Sequence, residues 1–116
     1  MIISGTTNLS PTRTFDFVNG IPEVFTAVEL TANGVKPANE NSVPVGIYNG
    51  GDVNICGSTF WAVGGQSIAA GDLLSSDANG RAVTSTSGNF AFALALENAS
   101  ASGVAQVQII NGGFVR

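Results

Sequence analysis

The segment NFAFALALENAS, residues 89 to 100, sets the strongest limit on the fold. Alanine, leucine and glutamate favour helix by intrinsic propensity. Here, however, the bulky residues Phe90, Phe92, Leu94 and Leu96 alternate with Ala91, Ala93 and Ala95. A period of two separates the faces of a strand rather than the sides of a helix. Residues 90 to 96 are therefore expected to form a central β-strand. Its thin alanine face would admit a close neighbouring sheet or backbone, and its Phe and Leu face would fill the core. A short helical turn at LENAS is compatible with this reading.

The surrounding segments carry the same signature. VPVGIYN, DVNIC and STFWAV follow one another from residue 43, divided by Gly50-Gly51 and Gly57. In VAQVQII, residues 104 to 110, Val107 and Ile109 alternate with Gln106 and Gln108. Short strands at this spacing indicate a sandwich or barrel. DLLSSDANGRAVT reads as a hairpin turned at Asp77-Ala78-Asn79-Gly80. RTFDFV at 13–18 and EVFTAVEL at 23–30 read as earlier strands, the second placing Val24, Val28 and Leu30 on one face. TANGVKPANENS at 31–42 has loop chemistry, with Asn33-Gly34 as a two-residue turn. The first residues are polar, include Pro11 and show no sustained period. The expected organisation is an extended N-terminal arm over residues 1–14 and one compact, mostly β domain over 15–116, a sandwich or barrel of short antiparallel strands.

At 116 residues, 44% hydrophobic and 10% charged, the chain has enough apolar surface for one core and does not have the composition of a disordered segment. The net charge is −4, and the four basic residues, Arg13, Lys36, Arg81 and Arg116, are scattered. They assemble no patch able to displace phosphate counterions, which argues against nucleic acid as a partner. The longest apolar run, residues 90–96, is far short of the ~20 residues a membrane-spanning helix needs. MIISGTTNLSPTRT lacks the basic leader and apolar stretch of a secretory signal, so synthesis in the cytoplasm is expected. So few charges protect the surface weakly, and apolar or amide-rich faces are expected to be hidden in an assembly.

The inventory of reactive groups is thin. Histidine is absent, which removes the commonest general base and metal ligand. The single cysteine, Cys56, rules out an internal disulfide framework, and in its apolar run it reads as a small core residue. Asp52, Asp72 and Asp77 sit beside glycine or in turns, where a short carboxylate caps backbone amides. DANG lacks the further oxygen ligands of a calcium loop, and NGGD and VGGQ lack the lysine of a phosphate loop. No catalytic residue, metal ligand or cofactor is expected, which leaves a binding or structural role. Phe60 and Trp61, being successive in a strand, face opposite ways and are expected to pack in the core or at a subunit interface.

The run VPVGIYNGGDVNICGSTFWAVGGQSIAAGDLLSSDANGRAV, followed by GNFAFALALENASASGVAQVQI, resembles the small capsid decoration, or cement, proteins of tailed bacteriophages. The resembling features are the Gly46-Ile47 strand, SIAAGDLLSSDANGRA at 67–82 and ALALENASASG at 93–103, and together they cover about residues 43–110. The ending NGGFVR is similar to the strand exit of lambda-type head decoration proteins. The resemblance implies a β-tulip-like domain with no enzymatic activity and no cofactor. It implies a protein that binds the major capsid protein on the outside of the mature icosahedral head, commonly as a homotrimer at three-fold or quasi-three-fold positions. On that footing the arm, with Ile2, Ile3 and Leu9 as apolar anchors beside Pro11 and Arg13, is expected to order on the capsid, adding a strand to a capsid-protein sheet. Tyr48 and Trp61 are candidate subunit-interface or surface aromatics. The competing expectation is a surface-displayed carbohydrate-binding or host-adhesion module that stacks sugars on Trp61 or Tyr48.

Overall fold

The computed structural model describes residues 12–18, 20–40, 42–55 and 59–115. Among them are ten strands and no helix. The first sheet contains β1 (Thr12–Arg13), β2 (Ala27–Thr31), β3 (Gly34–Pro37), β4 (Pro44–Tyr48) and β5 (Val53–Ile55), in the order β1-β5-β4-β2-β3. The second contains β6 (Thr59–Val63), β7 (Leu73–Ser76), β8 (Ala82–Thr84), β9 (Phe90–Ala95) and β10 (Val104–Val115), in the order β6-β10-β9-β7-β8. All the ladders are antiparallel, in line with the short connections.

Each sheet curls until its edges meet. In the first, β1 and β3 lie at opposite edges, yet Phe17, only four residues beyond Arg13, bridges Val35 of β3. Four residues reach at most ~14 Å, whereas the edges of a flat five-stranded sheet would stand ~19 Å apart. Closure is sealed by two backbone hydrogen bonds: the Val35 N–H donates to the Asp16 carbonyl (2.9 Å) and the Val18 N–H to the Val35 carbonyl (2.8 Å). Gly34, at φ +141°, lies where this closing segment crosses, and a Cβ there would overlap the Asp16 carbonyl. The enclosed core holds Val28, Val35, Tyr48 and Val53, with Phe15, Phe17, Val45 and Ile55 packed against them.

The second sheet closes in the same way. Gly64, just after edge strand β6, bridges Ala82 in the opposite edge strand β8, and the Gly65 N–H donates to the Ala82 carbonyl at 2.8 Å. Register sets Phe60, Val107 and Ala95 in one row and Leu74, Ala93 and Ile109 in another, on the inward face. Ala27, Ala38 and Ile47 join this cluster from the first half of the chain, so the two sheets share a core. Backbone bonds tie the halves together: Ala27 N–H to the Gly80 carbonyl (2.7 Å), Val63 N–H to the Phe25 carbonyl (2.9 Å) and Phe25 N–H to the Tyr48 carbonyl (2.8 Å). Phe25 holds this junction at φ 69°, a conformation a bulky residue rarely adopts, with its ring 5.5 Å from that of Phe60.

The expected strand over 90–96 is present as β9, but its faces divide differently: the alanines are buried, the Phe half of the bulky face joins the core and the Leu half turns outward. Ala91, Ala93 and Ala95 are the most deeply buried, whereas Leu94 is half-buried and Leu96 is 44% exposed. A five-stranded sheet curled on itself encloses little volume, and methyl side chains fill it where leucines would overpack. Phe92 is nevertheless buried in the same core cluster as Ala93 and Ala95, with Phe90 packed against it. The two-residue turn is Ala32-Asn33, between the paired Thr31 and Gly34, so Gly34–Pro37 is strand rather than loop. Val24 precedes β2 in a turn and, like Leu30, is exposed, while Val28 is fully buried. LENAS contains no helical turn, and Ala99 bridges Ile68.

Candidate functional site

The acidic turn residues are occupied much as their positions predict. Asp72 Oδ2 accepts from the Ala69 N–H (3.0 Å) and the Thr84 hydroxyl (3.2 Å). Asp77 Oδ1 accepts from the Asn79 N–H (2.8 Å) and the Arg81 N–H (2.9 Å), fixing the β7–β8 hairpin. Asp52 Oδ1 takes the Thr14 hydroxyl at 2.8 Å. Among the described residues, no three His, Cys, Asp or Glu side chains come together as metal ligands. A shallow cavity of about 410 Å3 lies beside Glu29, Asn39, Glu40, Ser42 and Ala78. There Ser42 Oγ donates to Glu29 Oε1 (2.7 Å) and receives the Asn39 N–H (2.7 Å), so these polar groups are turned on one another.

Arg81 joins three segments. Its guanidinium makes a two-pronged contact with Glu23, Nε to Oε1 at 3.0 Å and Nη2 to Oε2 at 2.9 Å, while Nη1 reaches Ser102 Oγ at 3.2 Å. The Arg81 hydrogen bond holds the Glu23 carboxyl below its ordinary value, against a smaller opposing effect of burial. A carboxylate depressed in the folded state stabilises above its unfolded pKa, and that contribution is lost as pH falls through the folded value. Glu23→Gln should therefore lower the melting temperature at pH 7 by at most a few degrees, as befits an exposed pair. The two proteins should converge once acid has protonated the carboxyl. A difference that persists unchanged at the lowest pH would show that Glu23 acts by packing instead.

Exposed apolar side chains occur in the first half of the chain, at Ile21, Leu30 and Val43, and on the outward face of the second sheet. None of the strands β6 to β10 contains a charged residue. Trp61 faces Gln106, whose carbonyl in turn accepts the Leu96 N–H, giving a row Trp61, Gln106, Leu96 across β6, β10 and the residue that follows β9. The next row is Thr59, Gln108 and Leu94, with Thr59 Oγ1 donating to Gln108 Oε1 at 3.0 Å. Trp61, Leu96 and Val104 are each 44% exposed. An open antiparallel face in water normally carries charged side chains at such positions.

The sequence candidates fall in different places. Trp61 lies on this face, its ring edge-to-face with Phe60 at 5.6 Å. Tyr48 is only 5% exposed and sits edge-to-face with Phe17 at 5.1 Å. The reading of Tyr48 as a surface aromatic is thus corrected: closure of the first sheet turns its face into an interior. Ile2, Ile3, Leu9 and Pro11 lie outside the described residues, as does Cys56. Arg13 lies in β1, its backbone paired with Val53. Leu96, Val104, Gln106 and Gln108 were not singled out by sequence reasoning. Their signal was five consecutive strands without a charge, visible once strand limits are known.

An all-β domain whose turn acids are tied to neighbouring donors and one of whose sheets is built from uncharged strands has the make-up of a binding or structural module. The family model for phage cement protein matches residues 42–110, more than half of the 116-residue chain, and the chain belongs to that family. Family membership implies association with a phage capsid and a stabilising role there. No curated protein matches the chain in sequence. Among solved structures, it is similar to "head fiber gp8.5 N base in bacteriophage phi29", with a TM-score of 0.63 and 18% identity over 82% of this chain and 89% of that one. At that identity the likeness is one of fold.

Proposed function

We propose that the protein binds the exterior of the mature icosahedral head and clamps neighbouring major capsid protein subunits against the outward push of packaged DNA. The observation that carries this reading is the family match over residues 42–110, which takes in β4 to β9 and the first part of β10. Such a task needs binding free energy rather than chemistry: a nanomolar site supplies about 12 kcal/mol at every occupied position. Three copies around a three-fold position would gain further, because the second and third contacts form at high effective concentration. In this reading residues 1–14 serve as an arm, with Ile2, Ile3 and Leu9 as anchors and Pro11 following, its end tied to the domain 15–116 where Thr12 and Arg13 pair with β5 as β1. The protein is made in the host cytoplasm and ends on the outer surface of the virion.

The test is co-sedimentation of the purified chain with matched heads lacking it, both unexpanded and expanded, followed by heating. Saturable binding to expanded heads, with rupture moved to higher temperature, is expected. Folded protein that ignores both kinds of head would remove the cement role. Removing residues 2–11, which stops short of β1, should abolish head binding with the fold intact, and unchanged affinity would deny the arm its part. Glycan binding lost on Trp61→Ala would instead support the adhesion reading.

A further inference from the structure

We infer that the chain is a tandem duplication, in which residues 12–55 and 59–109 are two copies of one five-stranded unit, and that Phe25 is the residue that locks the first copy onto the second. The sheets run β1-β5-β4-β2-β3 and β6-β10-β9-β7-β8. Counted from its own first strand, the second has the order of the first. Two sheets can share an order by chance, so the argument passes to register.

Register repeats pair by pair. Leu30 faces Val35 as Ser76 faces Ala82, and Val28 faces Pro37 as Leu74 faces Thr84. Gly46, opposite Val28 and Ile55, stands where Ala93 stands opposite Leu74 and Ile109. Leu30 to Ser76 is a step of 46 residues and Val35 to Ala82 a step of 47. The extra residue lies in the hairpin tip, which reads Thr31-Ala32-Asn33-Gly34 in the first copy and Asp77-Ala78-Asn79-Gly80-Arg81 in the second, with Ala-Asn-Gly common to both.

Backbone bonds outside the ladders repeat as well. The Val18 N–H donates to the Val35 carbonyl and the Gly65 N–H to that of Ala82, each at 2.8 Å, and these bonds close the two sheets alike. The Tyr48 N–H donates to the Thr26 carbonyl (3.0 Å) as the Ala95 N–H does to that of Asp72 (2.9 Å). The Phe25 N–H donates to the Tyr48 carbonyl as the Gly71 N–H does to that of Ala95, both at 2.8 Å. Strand propensity dictates none of these loop contacts, whereas copying one unit reproduces them all at a fixed period.

The last pair makes Phe25 the counterpart of Gly71. Both hold a left-handed backbone, at φ 69° and +92°. Glycine adopts it freely, and phenylalanine does so against steric strain. Such strain persists where the surroundings hold the residue in place. In the first copy they do: the Phe25 ring lies 5.5 Å from that of Phe60, and its carbonyl accepts the Val63 N–H at 2.9 Å. Phe60 and Val63 both belong to β6, the first strand of the second copy. At Gly71 nothing stands within 4 Å of an added Cβ. A side chain therefore sits at this bend where the other copy is there to be gripped, and is missing where it is not.

The test uses the full chain in urea. Tyr48 lies in the first copy and Trp61 in the second, and they are the only tyrosine and tryptophan, so absorbance follows each copy separately. In the wild type the two signals should change together, as in one cooperative transition. Phe25→Gly should part their midpoints by roughly 0.5–1 M urea, because each copy then unfolds as its own unit. Phe60→Leu, which removes the facing ring and leaves the strained backbone untouched, should part them too, and serves where the first variant fails to fold. Midpoints that stay together in both variants would overturn the role of Phe25. Equivalence with Gly71 has its own readout: Phe25→Gly should fold about fivefold more favourably than Phe25→Ala, the reverse of their ranking in an ordinary strand or helix. An alanine variant as stable as the glycine one would overturn the equivalence of the two bends, and with it the duplication.

Discussion

Valine at position 46 is expected to destabilise the protein by about 3 kcal/mol or more, the largest effect of any single substitution considered. Gly46 is buried in β4 opposite Ile55, where the curl of the first sheet brings β5 over it. A Cβ there would overlap the Asn54 carbonyl and come within 2.8 Å of Val53 Cγ1. The first obstacle is backbone, which cannot swing aside as a side chain does. Urea denaturation measures the outcome. Gly71→Ala provides the contrast: φ is +92°, but nothing stands within 4 Å of the added Cβ, so only backbone strain of about 1 kcal/mol is incurred. A Gly46→Val protein that unfolds within 1 kcal/mol of the wild type would mean that β5 is free to move and that closure is not tight.

The second large effect separates the two faces of the second sheet. Leu74 is fully buried in the row with Ala93 and Ile109, and Leu74→Ala should cost about 2–5 kcal/mol through lost burial and the cavity left behind. Leu96, 44% exposed, points outward, and Leu96→Ala should cost no more than about 0.5 kcal/mol in the isolated chain. Both are read from the same denaturation curves. The reverse order would mean that the bulky side of β9 faces the core, as the alternation of sizes first suggests.

What the sequence reveals and what it hides differ in a physically simple way. Strand against turn is a local property, and the alternation over 90–96, the Asp77-to-Gly80 turn and the Val107/Ile109 alternation all reappear in β9, the β7–β8 hairpin and β10. Which face is inside depends on curvature, which is set by contacts between residues far apart. Nothing near Ala93 announces that Gly64 will meet Ala82, or that Phe17 will meet Val35. Tyr48 illustrates the same gap: an aromatic in a short strand is equally at home on a surface and in a core until the sheet closes over it. The uncharged face lay in plain view as composition, but only register turned scattered Trp61, Leu96 and Val104 into one patch.

The pairing of β6 with β10 also sets a timetable for synthesis. Thr59 finds its partner in Gln108 and Val63 in Val104, so β6 emerges from the ribosome some forty to fifty residues before the strand that completes it. At translation speeds of about 5–20 residues per second, that is a wait of roughly two to ten seconds. During it the side of β6 that β10 will cover is unpaired, with Trp61 beside it, in a chain that has little charge to keep neighbours away. The order in which these strands are made thus leaves the nascent chain most prone to aggregation just before its second sheet can close.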